Sequence, residues 1–278
     1  MNSVPVYCIN LKSRPDRWKR FTSQPGVREL EKTFRFERVE AVVGKEIDIQ
    51  NDSRISVRTK RNILFQKRRD HEDLDSPGAI GCYLSHAMLW KKFLESNEEC
   101  CIILEDDAVV PKNFIQLFQI GYKNIKELSV NQPILWQLSK PHTISLRNAL
   151  GDEKVRIEER WIFDATSPTT GYVLFRDTAK VLLDNAYPID GHVDMYMRRC
   201  SQIGMIRIVH FRYLLLGQVA VKRKDTDIQM NNCELCDLPT NLSKSNLQIV
   251  TQEHIFSTTL VILGLASLIA IQYFHKKA

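Results

Sequence analysis

The apolar run Cys100–Leu104, CCIIL, is followed at once by Glu105-Asp106-Asp107. Five consecutive apolar residues suit a strand covered on both faces, as in a parallel sheet packed between helices. Three adjacent carboxylates suit no dry interior, because each is costly to desolvate and neighbours repel. The junction therefore demands a strand that ends at solvent, at a cation, or at both. In α/β sheets, ligands bind at the carboxyl ends of strands. A divalent ion shared between carboxylates and substrate phosphates is the natural partner there. The competing assignment is a solvated acidic turn, though few such turns follow five apolar strand residues so closely.

The surrounding pattern supports an α/β chain. Val4–Leu11 reads as a first strand, and Ser13, Pro15 and Asp16 resemble a helix start leading through Trp18 and Phe21. Val39–Val43 predicts a second strand, and Ser76-Pro77-Gly78 a turn. From Ile80, the apolar residues Tyr83, Ala87, Trp90 and Leu94 recur at helical spacing and predict a helix with one buried face. Pro111 opens a further helix through Phe114, Leu117 and Phe118. Ile134–Leu138, Gly171–Arg176 and Ile206–His210 read as later strands, with a helix capped by Asp177 and another after Pro188 between them. Strands alternating with helices argue for a largely parallel sheet.

Composition narrows the class. A length of 278 residues, 44% hydrophobic and 26% charged, excludes a disordered chain and a polytopic membrane protein. Seven cysteines in this length exclude a small disulfide scaffold, and most of them lie in apolar runs as small core residues. Cys233-Glu234-Leu235-Cys236 is one CxxC without a second pair at zinc spacing. The net charge of +6 is local: Arg54–Arg69 carries seven basic residues and no acid, and without those seven charges the balance is −1. Such a run reads as a solvated loop, or as a mobile basic loop beside a site for phosphate-bearing ligands. Phe65 is its one aromatic, so stacking with nucleic-acid bases has little support and no nucleic-acid partner is expected.

Ile255–Phe274 is an uncharged run of twenty residues. At about 1.5 Å per residue a helix of that length spans roughly 30 Å, the thickness of the hydrocarbon core. Lys276 and Lys277 flank it. A buried core helix is the alternative, and a membrane anchor the better fit because the run is apolar all round. The first ten residues lack a basic n-region, so no signal peptide is expected. The expectation is a single-pass, tail-anchored membrane protein with its main domain in the cytosol and the Asn51 and Asn241 sequons unused. The organisation expected is a domain over 1–237, a polar linker over 238–254 and an anchor over 255–274.

Several blocks then carry a resemblance. Val6-Tyr7-Cys8-Ile9-Asn10-Leu11 with Arg14, Asp16 and Arg17, the segment Gly78–His86 with Leu89-Trp90, Ile102–Asp107, Pro168–Leu174 and Val193-Asp194 occur in this order. Together they resemble glycosyltransferase family 25, which includes lipopolysaccharide and collagen galactosyltransferases. The resemblance covers roughly residues 4–230. It implies a GT-A-like nucleotide-sugar-binding fold of the α/β class with a central mostly parallel sheet, here followed by a C-terminal transmembrane helix. It also implies a UDP-sugar donor, most commonly UDP-galactose, with Mn²⁺ or another divalent cation as cofactor. Transfer would invert the anomeric carbon and go to a hydroxyl of a glycan, glycolipid or protein acceptor.

Carried onto this chain, the resemblance assigns Asp107 to direct metal ligation, with Glu105 and Asp106 completing the metal site or binding the ribose. Asp194 is the expected general base and Asp190 its rival; both lie near a helix start, where capping is the plainer role. His210 is either a late metal ligand or a structural histidine. Asn10, Arg14 and Arg17 are expected nucleotide contacts, against a plainer role in helix-start chemistry. Ser85 and His86 are expected to shape the donor site or to bond to strand ends. Lys222-Arg223-Lys224 either faces the pyrophosphate or forms a solvated loop. Two features depart from the relatives: the absent signal peptide and the hydrophobic tail. The competing functions are an inactive relative acting as a nucleotide-sugar-binding or membrane-attached module, and nucleic-acid binding through residues 54–69.

Overall fold

The computed structural model describes residues 4–67, 73–130, 132–139, 161–163, 168–211, 215–219 and 228. The CxxC, the basic triplet at 222–224, the linker and the uncharged stretch at 255–274 lie outside the described residues. In chain order the elements are β1 (Pro5–Asn10), α1 (Pro15–Thr22), α2 (Pro25–Thr33), β2 (Arg35–Glu40), a 3₁₀ turn (Gly44–Glu46), α3 (Val57–Phe65) and α4 (Pro77–Leu94). Then come β3 (Cys100–Glu105), β4 (Ala108–Val109), α5 (Phe114–Ser129), β5 (Ile134–Gln137), β6 (Trp161–Phe163) and β7 (Gly171–Phe175). The described elements close with α6 (Arg176–Asp184), α7 (Val193–Gln202), β8 (Arg207–Phe211) and β9 (Gly217–Gln218).

Seven strands form one sheet in the order β2-β1-β3-β7-β5-β8-β6. β2, β1 and β3 are parallel, and β5 runs parallel to β8. β7 runs against both β3 and β5, and β6 runs against β8. The sheet is thus mostly parallel, as expected, with two reversed strands. A separate ribbon pairs β4 with β9.

Side chains alternate across the sheet, and both faces are dry. Tyr7, Ile9, Cys101, Ile103, Tyr172 and Leu174 pack in one core with residues of α4, α6 and α7. Val6, Cys8, Ile102, Leu104, Val173 and Trp136 pack in the other with residues of α1, α2 and α5. This double burial explains why β1 and β3 read as continuous apolar runs rather than alternating ones. In the second core Trp136 is fully buried and stacks on Phe118 at 5.3 Å. Gly121 makes room for it: a Cβ there would stand 2.6 Å from the indole. Trp136→Ala is expected to cost about 3–5 kcal/mol, read as a lowered chemical-denaturation midpoint.

Several local expectations shift. The predicted turn at Ser76-Pro77-Gly78 is the start of α4: Ser76 is the N-cap, its hydroxyl accepting from the Ala79 amide at 3.3 Å, and Pro77 opens the first turn. The same residue types serve turns and helix starts, and only the helix beyond them decides. α4 is also buried on more than one face, because it packs against α6 and α7 as well as the sheet. The basic loop contains α3, capped by Ser56, whose hydroxyl accepts from the Thr59 amide, and ended by Gln66 in the left-handed region. Its inward residues Thr59 and Asn62 are polar, so its buried stripe was invisible as hydrophobicity. The second strand is Arg35–Glu40 rather than Val39–Val43: as an edge strand it buries only Val39 fully. Arg14, not Ser13, occupies the N-cap of α1, and Phe175, not Asp177, that of α6.

Candidate active site

β1 and β3 are parallel neighbours, so their carboxyl ends lie side by side. β1 delivers Asn10 there, and β3 delivers Glu105, with Asp106 and Asp107 in the turn that leads into β4. Because β7 is antiparallel, its start lies at the same end and brings Thr169 and Thr170 beside Leu104 and Glu105. The first half of α4 closes the side. A cleft with about 510 Å³ of empty space, its open mouth included, is lined by Asn10, Arg17, Val42, Ser85, Glu105 and Asp106 among others.

The wall opposite the acids depends on a close backbone approach. A Cβ on Gly81 would stand 2.5 Å from the Val42 carbonyl oxygen, and one on Gly44 would meet the Pro77 carbonyl oxygen at 1.8 Å. Glycine at both positions lets the segment after β2 lie against α4. Ser85 then ties the two, accepting from the Val42 amide at 2.8 Å and donating to the Gly81 carbonyl at 2.7 Å. Its hydroxyl shapes the cleft wall.

Each acid has a different environment. Glu105 Oε1 takes two bonds, from Thr169 Oγ1 at 2.6 Å and from His86 Nε2 at 3.1 Å. Burial opposes the Glu105 charge, but the His86 and Thr169 bonds outweigh it and hold the carboxyl below its usual range. His86 is itself oriented. Trp90 Nε1 donates to the Tyr172 hydroxyl at 2.9 Å, and that hydroxyl meets His86 Nδ1 at 2.9 Å. With Tyr172 donating to Nδ1 and Nε2–H donating to Glu105, every group in this buried chain has a partner; the tautomer is assigned from that bonding pattern.

Asp106 Oδ2 accepts from Asn10 Nδ2 at 2.5 Å, Asn10 Oδ1 accepts from Arg38 at 2.5 Å, and Arg17 lies 3.8 Å from Asp106 Oδ1. Burial pushes the Asp106 carboxyl up, with Asn10 and Arg17 working against it. Asp107 is the least compensated. Burial, then the Glu105 charge, pushes its carboxyl up to about 7, while Gln218 Nε2 donates to Oδ2 at 2.9 Å. Its other oxygen, Oδ1, is buried with no hydrogen-bond partner among the described residues.

That orphaned oxygen fits a cation. A hard, oxygen-preferring divalent ion at Asp107 would satisfy Oδ1 and lower the carboxyl toward its ionised form. Cys82, His86 and Glu105 also bring ligand atoms within 4.8 Å of one another. This softer set fits a metal less well, because both ring nitrogens of His86 are engaged by Tyr172 and Glu105.

The remaining expected site residues divide. Asp194 sits in the first turn of α7, with Oδ1 accepting from the Met195 amide at 2.8 Å. Its charge, with those of Glu105 and Asp107, adds to burial in pushing the Cys82 thiol up. Asp190 instead pairs with Arg199 at 2.8 Å. Arg14 chelates Asp16 at 3.1 and 3.0 Å on the exposed start of α1, outside the cleft lining. His210 is buried on β8 with Nδ1 against the Ser139 carbonyl at 3.2 Å, and it is likewise outside the lining. Thr169 and Gln218 were missed as partners of the acids. They sit beside the acids only through β7 and the β4–β9 ribbon, pairings that span 64 and 111 residues.

Comparison with known proteins bears on the family of the chain. The family model for glycosyltransferase family 25 (LPS biosynthesis protein) matches residues 3–197. Procollagen galactosyltransferase 1-B of Xenopus laevis is 34% identical over 107 residues, covering 38% of this chain and 16% of the relative. Procollagen galactosyltransferase 1-A of Xenopus laevis is 25% identical over 199 residues, covering 68% of this chain and 29% of the relative. The chain thus spans less than a third of the length of these curated relatives. Among solved structures, apo mouse xyloside xylosyltransferase 1 aligns with a TM-score of 0.33 and 9% identity, over 73% of this chain and 71% of that one. At that score the likeness carries no argument. The family match takes in the β1 end, the α4 wall, the acidic turn, the start of β7 and Asp194 together, and the chain belongs to glycosyltransferase family 25.

Proposed function

We propose that this protein is an inverting hexosyltransferase that moves a sugar, galactose from UDP-galactose, to a hydroxyl of a glycan, glycolipid or protein acceptor. The observation that carries the reading is the buried, unpartnered Asp107 oxygen beside Glu105 and Asp106 at the paired ends of β1 and β3. A divalent ion, with Mn²⁺ the first choice, would be held by Asp107 with help from Asp106 and would neutralise charge on the leaving diphosphate. Arg17 and Asn10 bind and orient the nucleotide at the β1 end. Glu105, pinned through one oxygen by His86 and Thr169, keeps the other for a ribose hydroxyl or the ion. Asp194 takes the proton from the acceptor hydroxyl as that oxygen bonds to the anomeric carbon on the face opposite the departing UDP. The electron pair of the broken glycosidic bond leaves with the diphosphate. Asp190, paired with Arg199, shapes the α7 end.

The test is a panel of UDP-sugars offered to the detergent-purified chain, with released UDP measured with and without Mn²⁺. Metal-dependent turnover of UDP-galactose above the other sugars is expected. A folded protein that binds donor without turnover on any sugar and acceptor hydroxyl would instead identify an inactive, nucleotide-sugar-binding relative.

The uncharged stretch 255–274 is part of the same proposal, as a single membrane span. The full chain is expected in the membrane fraction, released by detergent but not by high salt or alkaline wash. Recovery in the soluble fraction without detergent would remove the anchor from the proposal.

A further inference from the structure

The cleft does not account for α3. Val57, Leu64 and Phe65 are 82%, 62% and 63% exposed, a large apolar surface for a nine-residue helix. With about 3.6 residues per turn, positions 57, 61, 64 and 65 fall on one face. That face carries Arg61 among the three apolar side chains, with Arg58 on its edge and Lys67 just beyond its end. Thr59 and Asn62, on the opposite side, are buried. The lead-in to α3 is firmly held: Ile55 bridges Ile189, the Ser56 amide donates to the Ile189 carbonyl at 3.0 Å, and the Ile189 amide donates to the Arg54 carbonyl at 2.7 Å.

Apolar side chains interleaved with cations on one exposed helix face, with no acid from Arg54 to Lys67, match the chemistry of a lipid headgroup boundary. The aliphatic stems enter the acyl edge while the guanidinium and ammonium groups stay at the phosphates. Other occupants fit less well. Val57 and Leu64 offer nothing to a nucleic-acid backbone. A second copy meeting this face across a two-fold axis would set Arg61 and Lys67 against themselves. The uncharged run at 255–274 makes a bilayer a surface this chain is expected to meet. We propose that the Val57–Arg61–Leu64–Phe65 face of α3 docks onto an anionic lipid surface.

The test places a tryptophan on the face. The full-length F65W chain is reconstituted into vesicles of phosphatidylcholine alone or with about a third phosphatidylserine, a composition that supplies anionic headgroups. In the anionic vesicles the added indole is expected to shift its emission to shorter wavelength and to be quenched by brominated acyl chains. In neutral vesicles both effects should be small. Adding Arg61→Gln or Lys67→Gln should each lower the docked-to-free ratio roughly fivefold. V57W, on the same face, must report the same shift, which guards against a local effect of one variant. Equal emission in anionic vesicles, neutral vesicles and detergent would overturn the proposal. So would salt-dependent RNA binding that protects this face in place of lipid, or protection that rises with protein concentration when lipid is absent.

Discussion

Asp107→Asn is expected to abolish sugar transfer and, at the same time, to stabilise the metal-free protein at pH 8. The two effects have one cause. Asp107 titrates near 4 in an unfolded chain and at about 7 in the fold, because burial and the Glu105 charge disfavour its ionised form. The folded protein therefore binds more protons than the unfolded one across that interval. Stability from this group is fully present below about pH 4 and is lost as pH rises through 7. At about 1.4 kcal/mol per pH unit, the loss amounts to a few kcal/mol at pH 8. Asparagine removes the charge and with it the loss, but it cannot supply an anionic ligand to a cation. The measurement is a melting curve at pH 5 and pH 8 for both proteins, with and without Mn²⁺. Wild type should gain more from Mn²⁺ at pH 8, and D107N should gain little at either pH. Transfer should fall by at least about a thousandfold, the scale of losing charge stabilisation at a reacting diphosphate. A D107N protein that keeps activity, or that melts below wild type at pH 8 without metal, would remove Asp107 from the cation site.

The second large effect is expected at Asp194. Asp194→Asn should lower kcat by about a hundredfold to ten-thousandfold, the usual contribution of a positioned proton acceptor, while donor affinity stays near that of wild type. Asp190→Asn should be much milder, because that carboxylate is already committed to Arg199. The distinguishing readout is the pH profile of kcat. The acid limb of wild type, which reports the base losing its charge, should vanish in D194N and persist in D190N. If D190N loses the limb instead, the assignment reverses. The ion pair of Asp190 with Arg199 favours the first outcome.

The contrast between these two aspartates illustrates how far the chain could be read without coordinates. Both lie four residues apart near one helix start, and nothing in composition or spacing separates them. Their separation depends on Arg199, which pairs with Asp190 at 2.8 Å. Arg14 and Arg17 behave alike: they share a motif, yet Arg17 lines the cleft against Asp106 while Arg14 folds back on Asp16. The exposed edge strand β2 and helix α3 were hidden for a different reason. Each keeps little apolar surface toward the core, so hydrophobic periodicity had almost nothing to report.

What the amino-acid sequence determined alone was the architecture around the acids. An unbroken apolar strand stopped by three carboxylates calls for a doubly covered strand whose carboxyl end meets solvent or a cation, because desolvation disfavours those charges in a dry interior. The tertiary structure alone decided what surrounds each acid. Glu105 stays ionised because β7 and α4 bring Thr169 and His86 to one of its oxygens, and Asp106 is steadied by Asn10 from β1. Asp107 is left with an unpartnered carboxylate oxygen by a fold that gives its side chain one hydrogen bond, from Gln218, among the described residues. Three adjacent carboxylates that look alike in the chain are separated by hydrogen-bond partners from up to 111 residues away, since a carboxyl's charge is set by its surroundings in space.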